Sequence, residues 1–466
     1  MKRRQFLKNS AFGAVAPVAL GSQSSLASGI VNEEILIHIF LRGGIDGLNV
    51  VVPLDDKDHE YYSIMRPELR VPESGTGGAL PIHGNPFGFN PIAAPLKDLF
   101  DAGQMAIIQA VGTPDDIASR SHFDAEKYID LGTPGSVGTT TGWLHRHFLS
   151  MTGPLGLYPE EIQLPIVAFH NIPPVSLLGN NSSLTVHSPE SFRIDNAHWR
   201  WNVDAEPWQG EGYKQLELLA DIHHSASDSV TVAGHQALAS EELLRTNYDP
   251  EYTSSGTIVY PQEDLGNLLS DLAQLIKLDA GTRLFTLDYG GWDTHADQNQ
   301  ANSFDYLLDS LCRALAAFFD DLNSSGDTYA DRTTVIIQSE FGRRAFQNNS
   351  NGTDHGNGNI MLVLGKQVNG GKIYGDWPGL YPGTADEWVD YANPKNGSTE
   401  PELYEGALAT TTDFRQVLSE YLQRRCWHNS NSLGFVFPNY SGYEPMGIFK
   451  TLTDDSDVIY RSSFES

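Results

Sequence analysis

Six short apolar runs punctuate the chain: Ile35–Leu41, Met105–Val111, Leu164–Phe169, Arg283–Leu287, Thr333–Gln338 and Ile360–Leu364. Runs of this length, rich in Ile, Val and Leu, predict buried strands. The segments between them follow a different period. In Asp264–Leu278, residues Leu265, Leu268, Leu269, Leu272 and Ile276 fall on one helical face. In Phe304–Leu322, Leu308, Leu311, Cys312, Leu315, Phe318, Phe319 and Leu322 do the same. Pro91–Ala102 and Asp413–Arg424 read as further helices, the latter capped by Thr412. Strands alternating with helices predict an α/β fold, a mostly parallel sheet with helices on both faces. The runs at 35–41, 105–111, 283–287 and 333–338 are expected side by side in its core.

Two polar stretches interrupt the alternation, at about 171–262 with Trp199, Trp201 and Trp208, and at about 371–405 with Trp377 and Trp388. Both read as insertions on one domain spanning 28–466. Packing against that domain is the simpler use of their aromatic residues, and a platform for a glycan is the alternative. The first residues change the picture of where the protein works. Lys2-Arg3-Arg4-Gln5-Phe6-Leu7-Lys8, an apolar segment Ala11–Leu20 and Ser25-Leu26-Ala27 match a twin-arginine export signal over 1–27. The expected location is periplasmic or secreted. No stretch is apolar for long enough to predict a membrane span. The chain carries 30 basic against 59 acidic residues, net −29, and residues 1–27 hold four of the basic and none of the acidic ones. Such a charge disfavours nucleic acid as a partner, and an anionic substrate would need a local positive patch or metal ions. A disulfide between the two cysteines, Cys312 and Cys426, is possible after export but is not fixed by the sequence.

Chemistry concentrates just beyond the strands. Arg42-Gly43-Gly44-Ile45-Asp46-Gly47 follows the first run, Gly290-Gly291-Trp292-Asp293-Thr294-His295 the fourth, and Ser339-Glu340-Phe341-Gly342-Arg343-Arg344 the fifth, with Gly352-Thr353-Asp354-His355-Gly356 soon after. In an open α/β sheet, loops leaving the carboxyl ends of strands share one crevice. Each motif alone has a plain structural use: Asp-Gly turns, helix caps, and a Glu340 to Arg343 or Arg344 ion pair. Together they predict a divalent metal site of mixed oxygen and nitrogen donors without thiolate, one or two ions, zinc or manganese. Arg343 is expected to clamp the oxygens of an anionic substrate. Met105–Val111 leads to Ser119-Arg120-Ser121-His122-Phe123-Asp124-Ala125 and a helix. Ser121 there is either a nucleophile favoured by the helix terminus or an N-cap.

These motifs, with Thr-Gly-Trp-Leu at 141–144 and Thr-Thr-Asp-Phe-Arg at 411–415, resemble the exported bacterial family of domain of unknown function 1501 over nearly the whole chain after residue 27. That family looks related to the alkaline phosphatase-like superfamily of phosphatases, phosphodiesterases, sulfatases and phosphate-sugar mutases. The resemblance implies that Asp46, Asp293, His295, Glu340 and His355 are metal ligands and that Ser121 is the nucleophile. There are two departures: Phe341 stands where an Asp-His pair has its histidine, and Asp293-Thr294-His295 is shorter than Asp-x-x-x-His. A sulfatase is disfavoured, because no Cys/Ser-x-Pro/Ala-x-Arg motif lies near Ser121. The expected function is a metal-dependent hydrolase of phosphate or related anionic esters, its substrate a small molecule or a polymer. A non-catalytic exported protein of the same fold that binds a glycan or a protein is the alternative. A serine hydrolase ranks below both, since no Gly-x-Ser-x-Gly elbow occurs.

Overall fold

Successive side chains of a strand point to opposite faces, so a strand apolar at nearly every position must be covered twice. The first strand, β1 (Ile35–Leu41), is buried at all seven positions. Its odd residues Ile35, Ile37, Ile39 and Leu41 join one core, and Leu36 and Phe40 join another. The structure is a computed structural model that describes residues 33–152, 164–189, 229–324, 329–380, 403–404 and 406–451. Residues 1–27, the proposed signal, and Trp199, Trp201, Trp208 and Trp388 of the insertions lie outside them.

The remaining strands of the main sheet are β2 (Met105–Gly112), β3 (Ile166–Phe169), β4 (Ser183–Val186), β5 (Leu284–Tyr289), β6 (Thr333–Gln338), β7 (Asn359–Leu364), β8 (Lys372–Tyr374) and β9 (Thr412–Asp413). Their order is β8-β2-β7-β6-β1-β5-β3-β4, with β9 also pairing β2. All run parallel except β7, which is antiparallel to both neighbours. The mostly parallel sheet expected from the sequence is therefore present, and β1 lies between β5 and β6 in register, Leu36 opposite both Leu284 and Thr334. One expectation is corrected. β2 does not touch β6, because β7 is inserted between them. The apolar pattern of β7 is the same for either strand direction, so only its pairing reveals the reversal.

The helices Ala94–Asp101, Asp264–Lys277 and Phe304–Ser324 cover the first core. Helices Trp143–Thr152 and Phe414–Arg425 cover the second. The last is capped by Asp413, whose side chain accepts from Arg415 N, and not by Thr412. Cys312 packs in the first core and Cys426 in the second, both as buried free thiols, so the sheet separates them and the disulfide is absent. Truncating a fully buried strand residue such as Ile37 to alanine would cost about 2–5 kcal/mol. Trp377 of the second insertion packs edge-on against Phe87, 5.0 Å between centroids, and donates to Asp58 at 2.6 Å. That is the packing use of an insertion tryptophan.

At the end of β2, Val111 pairs Asn359 and Ile108 pairs Met361, so Gln109 and Ala110 together oppose Ile360 alone. Ala110 takes φ 48°, a left-handed conformation costing an L-residue roughly 1–2 kcal/mol. A bulge of this kind bends a strand and redirects the chain leaving it. Here the redirected chain is the loop that carries Ser121.

Candidate metal centre

The loop after β1 begins with Arg42, whose guanidinium lies over the Phe40 ring at 4.0 Å. It meets Asp288 at 2.9 Å and Asp130 and Glu126 at 3.2 Å. Burial and the crowding of these carboxylates with Glu340 push Glu126 up to about 7, and Asp130 is raised to about 6 for similar reasons. Gly43 and Gly44 then take φ 119° and 70°. A Cβ on Gly43 would lie 2.4 Å from Asp293 N, and one on Gly44 2.7 Å from the Phe341 ring. Only glycine lets this loop press against the two others, which is the physical meaning of the Arg-Gly-Gly motif.

Three imidazoles converge on one carboxylate oxygen. His295 Nε2 and His355 Nε2 each lie 3.1 Å from Asp293 Oδ1 and 2.8 Å from each other. His122 Nε2 lies 3.4 Å from the same oxygen, is buried, and makes no hydrogen bond among the described residues. Each ring is held from behind by an oxygen that can only accept. His295 Nδ1 meets Asp354 Oδ1 at 2.9 Å, His355 Nδ1 meets the Arg120 carbonyl at 2.7 Å, and His122 Nδ1 meets Glu340 Oε1 at 2.6 Å. With an acceptor behind every Nδ1, a ring that keeps its proton there turns its Nε2 lone pair inward. Two lone pairs facing each other at 2.8 Å repel unless a proton or a cation lies between them.

This donor set fits a borderline divalent ion. Tetrahedral bonds of about 2.0–2.1 Å to zinc put donors about 3.3 Å apart, close to the separations seen here. Oxygen acceptors on the far nitrogens are the customary supports of metal-binding histidines. Burial opposes the charge on Asp293, but the Arg343 guanidinium and the two histidines outweigh it and hold the carboxyl at about 2. The hydrogen bond to Glu340 raises His122, and burial lowers His355. Burial would raise Glu340, but the His122 ring and the N–H and O–H donors around it keep it below the usual carboxylate range.

Of the residues expected to bind metal, Asp293, His295 and His355 come together. Glu340 stands one step back, accepting from Gly43 N at 2.7 Å, Ser339 Oγ at 2.9 Å and His122, so it orients a ligand. Asp46 goes elsewhere. Its Oδ2 pairs with Arg66 Nη1 at 2.6 Å and accepts from Gln298 Nε2 at 2.6 Å, with neither Asp46 nor Arg66 reaching solvent. Arg66 thus balances the charge of Asp46, while Oδ1 is buried with no hydrogen-bond partner among the described residues. Arg343 is also corrected. Its guanidinium is fully buried and donates to the carbonyls of Gly43, Gly44, Thr353 and Trp292 and to Asp293 Oδ1. It ties three loops together and fixes Asp293, leaving no face for a substrate. Phe341 lies against His122 and His355, 4.9 and 4.7 Å between centroids, as an apolar floor.

Sequence reasoning missed His122 and Asp354, although both lie inside motifs it quoted. His122 also groups with Glu126 and Glu340, its donor atoms and theirs within 4.8 Å of one another. Ser121 occupies the N-cap position of the helix His122–Leu131, yet its side chain makes no capping hydrogen bond. Ser119 Oγ accepts from Ser121 N at 3.2 Å, which leaves the exposed Ser121 hydroxyl next to the His122 ligand.

Fold and site together define an α/β protein with a candidate single-ion centre at the carboxyl ends of its parallel strands. Residues 215–424 match the family described as "Protein of unknown function (DUF1501)", which bears out the resemblance over a stretch holding Asp293, His295, Glu340 and His355. No curated protein matches the chain. Among solved structures it is similar to a protein in the alkaline phosphatase superfamily from Vibrio parahaemolyticus, with 12% identity and a TM-score of 0.32, covering 74% of this chain and 62% of that one. It is also similar to the lipoteichoic acid synthase LtaP from Listeria monocytogenes, at 10% identity and a TM-score of 0.30, covering 72% and 66%. For alkaline phosphatase from the Antarctic bacterium TAB5 the values are 11% and 0.29, with 74% and 95% covered. The chain spans less than two thirds of the length of the first two. No described helix is long and apolar enough to cross a membrane.

Proposed function

We propose that the protein is an exported, metal-dependent hydrolase of phosphate or related anionic esters, working with one ion held by His122, Asp293, His295 and His355. The observation that carries this reading is the convergence of three Nε2 atoms on Asp293 Oδ1, with an acceptor behind every ring. Zinc or manganese, when bound, supplies positive charge to an ester oxygen and its developing anion. Arg343 and the neighbouring histidines hold the Asp293 carboxyl well below its ordinary value, so it meets an ion as a carboxylate. The Ser121 hydroxyl is the candidate nucleophile. It is exposed, does not cap its helix, and sits at a helix N-terminus whose N–H groups favour an alkoxide. Arg343 and Glu340 hold Asp293 and His122 and take no part in contacting the substrate. Periplasmic or secreted location belongs to the proposal on the strength of the twin-arginine pattern in residues 1–27.

Elemental analysis of protein purified without chelator tests the reading, followed by turnover of nitrophenyl phosphate, a nitrophenyl diester and a nitrophenyl sulfate. About one zinc or manganese per chain, with activity lost on chelation and restored by the ion, is the expected result. Absence of bound metal would overturn it. Metal-replete protein inert towards all three esters would favour the non-catalytic binding protein.

A further inference from the structure

We infer that Arg120 is a positioning residue through which the metal centre sets the place of the Ser121 loop. This deepens the metal reading above and rests on it. Residues 113–121 leave the bulged end of β2, and their start is held by Asp115, whose carboxylate accepts from Thr410 N at 3.1 and 3.2 Å. The other end depends on Arg120, which grips the turn His355-Gly356-Asn357 at both sides. Its carbonyl accepts from His355 Nδ1 at 2.7 Å, and its Nε donates to Asn357 Oδ1 at 3.1 Å. Asn357 is buried. Ser121 therefore has one chain neighbour locked to a ligand's back and the other, His122, facing the same centre directly. Moving either histidine moves the serine. A cation that fixes the two Nε2 atoms then also orders Ser121, the residue between Arg120 and His122, with no contact between serine and ion needed.

Hydrogen–deuterium exchange on the full chain, with and without zinc, reads this without any assay of catalysis. In wild type, zinc should slow exchange in residues 353–360 and also in 113–124, by at least about fivefold in each. In Asn357→Ala the slowing at 353–360 and around His122 should persist, since every proposed ligand remains, while most of the slowing at 113–119, which no ligand occupies, disappears. Arg120→Ala should behave alike, and Arg120→Lys, which keeps a donor, should recover part of the slowing. These variants should change zinc affinity by less than about tenfold, because the Arg120 carbonyl stays in place. Zinc-linked slowing at 113–119 that survives both Asn357→Ala and Arg120→Ala would overturn the inference. So would a wild type that takes up zinc and slows only at 353–360. A wild type that takes up no zinc refutes the metal reading itself and the coupling with it, and is told apart by the binding isotherm.

Discussion

Asp46 and Asp293 are both aspartates beyond parallel strands, and they meet different partners: Arg66 and Gln298 for Asp46, Arg343 and two histidines for Asp293. Replacing each by alanine should separate metal binding from stability. Asp46 and Arg66 are a buried ion pair, Oδ2 to Nη1 2.6 Å, with 1% and 0% of their side chains exposed. Without Asp46, Arg66 would keep Asn49 Oδ1 at 2.7 Å and the carbonyls of Ala345 and Arg344 at 2.9 and 2.8 Å. It would lose the carboxylate that balances its charge. Removing one member of a buried pair costs about 3–5 kcal/mol, because the other charge stays behind in the interior. With urea m-values at or above about 3 kcal/mol/M for a chain of this size, the unfolding midpoint should fall by roughly 1 M. Metal stoichiometry in Asp46→Ala should stay that of wild type. Asp293→Ala should abolish stoichiometric metal and, because it leaves the fully buried Arg343 guanidinium without its carboxylate, should lower the midpoint as well. Adding Arg66→Met to Asp46→Ala should recover part of the loss, as apolar replacement of a whole pair often does. Chemical denaturation and metal analysis of the same samples decide the matter. An Asp46→Ala variant with wild-type stability and no metal would make Asp46 a ligand and refute the single-ion assignment.

Three further outcomes are expected. Glu340→Gln and Asp354→Asn, which loosen His122 and His295 without removing a ligand, should each weaken metal affinity by about 10–100-fold in a competition titration with a chromophoric chelator. Ser121→Ala should lower turnover of a nitrophenyl phosphate or diester by at least about a hundredfold with metal content unchanged, whereas Ser119→Ala, which loses only the bond from Ser121 N, should cost far less. Asp321 accepts from Lys277 Nζ at 2.5 Å, Ser255 N at 2.7 Å and the hydroxyls of Tyr252 and Tyr260, and Asp321→Asn should destabilise by about 3 kcal/mol. Burial alone would raise this carboxyl, but the Lys277 ammonium and its other donors bring it below its ordinary value. Its contribution is present above the unfolded carboxylate pKa of about 3.9 and is lost as pH falls through the lower folded value, so acid unfolding should be steeper in wild type than in Asp321→Asn.

The parallel core was legible because burial on both faces leaves strands almost nothing but apolar residues. Ile35–Leu41 and Thr333–Gln338 are observed with the expected bounds, and the helix Phe304–Ser324 buries the face expected of it. The reversal of β7 was not legible, because direction depends on which neighbours a strand meets and leaves no mark in an apolar run. The same holds for the two thiols. Cys312 and Cys426 differ by which face of the sheet they cover, which no local pattern encodes.

Convergence of the loops was legible too, because a crevice of this kind depends on strand ends alone. Roles within the crevice were not. Asp46, Asp293 and Glu340 follow strands in the same manner, and what separates them is the partner each meets from afar: Arg66 for Asp46, Arg343 with the histidines for Asp293, His122 for Glu340. Those partners lie 20, 50 and 218 positions away along the chain. Arg66 balances the charge of Asp46 and an apolar ring stands at Phe341, whereas His122, Asp293 and His355 bring their donor atoms within 4.8 Å of one another. The same dependence on distant partners holds at position 341, where the Phe341 ring packs against both His122 and His355, a contact that no local pattern around Ser339-Glu340-Phe341 encodes.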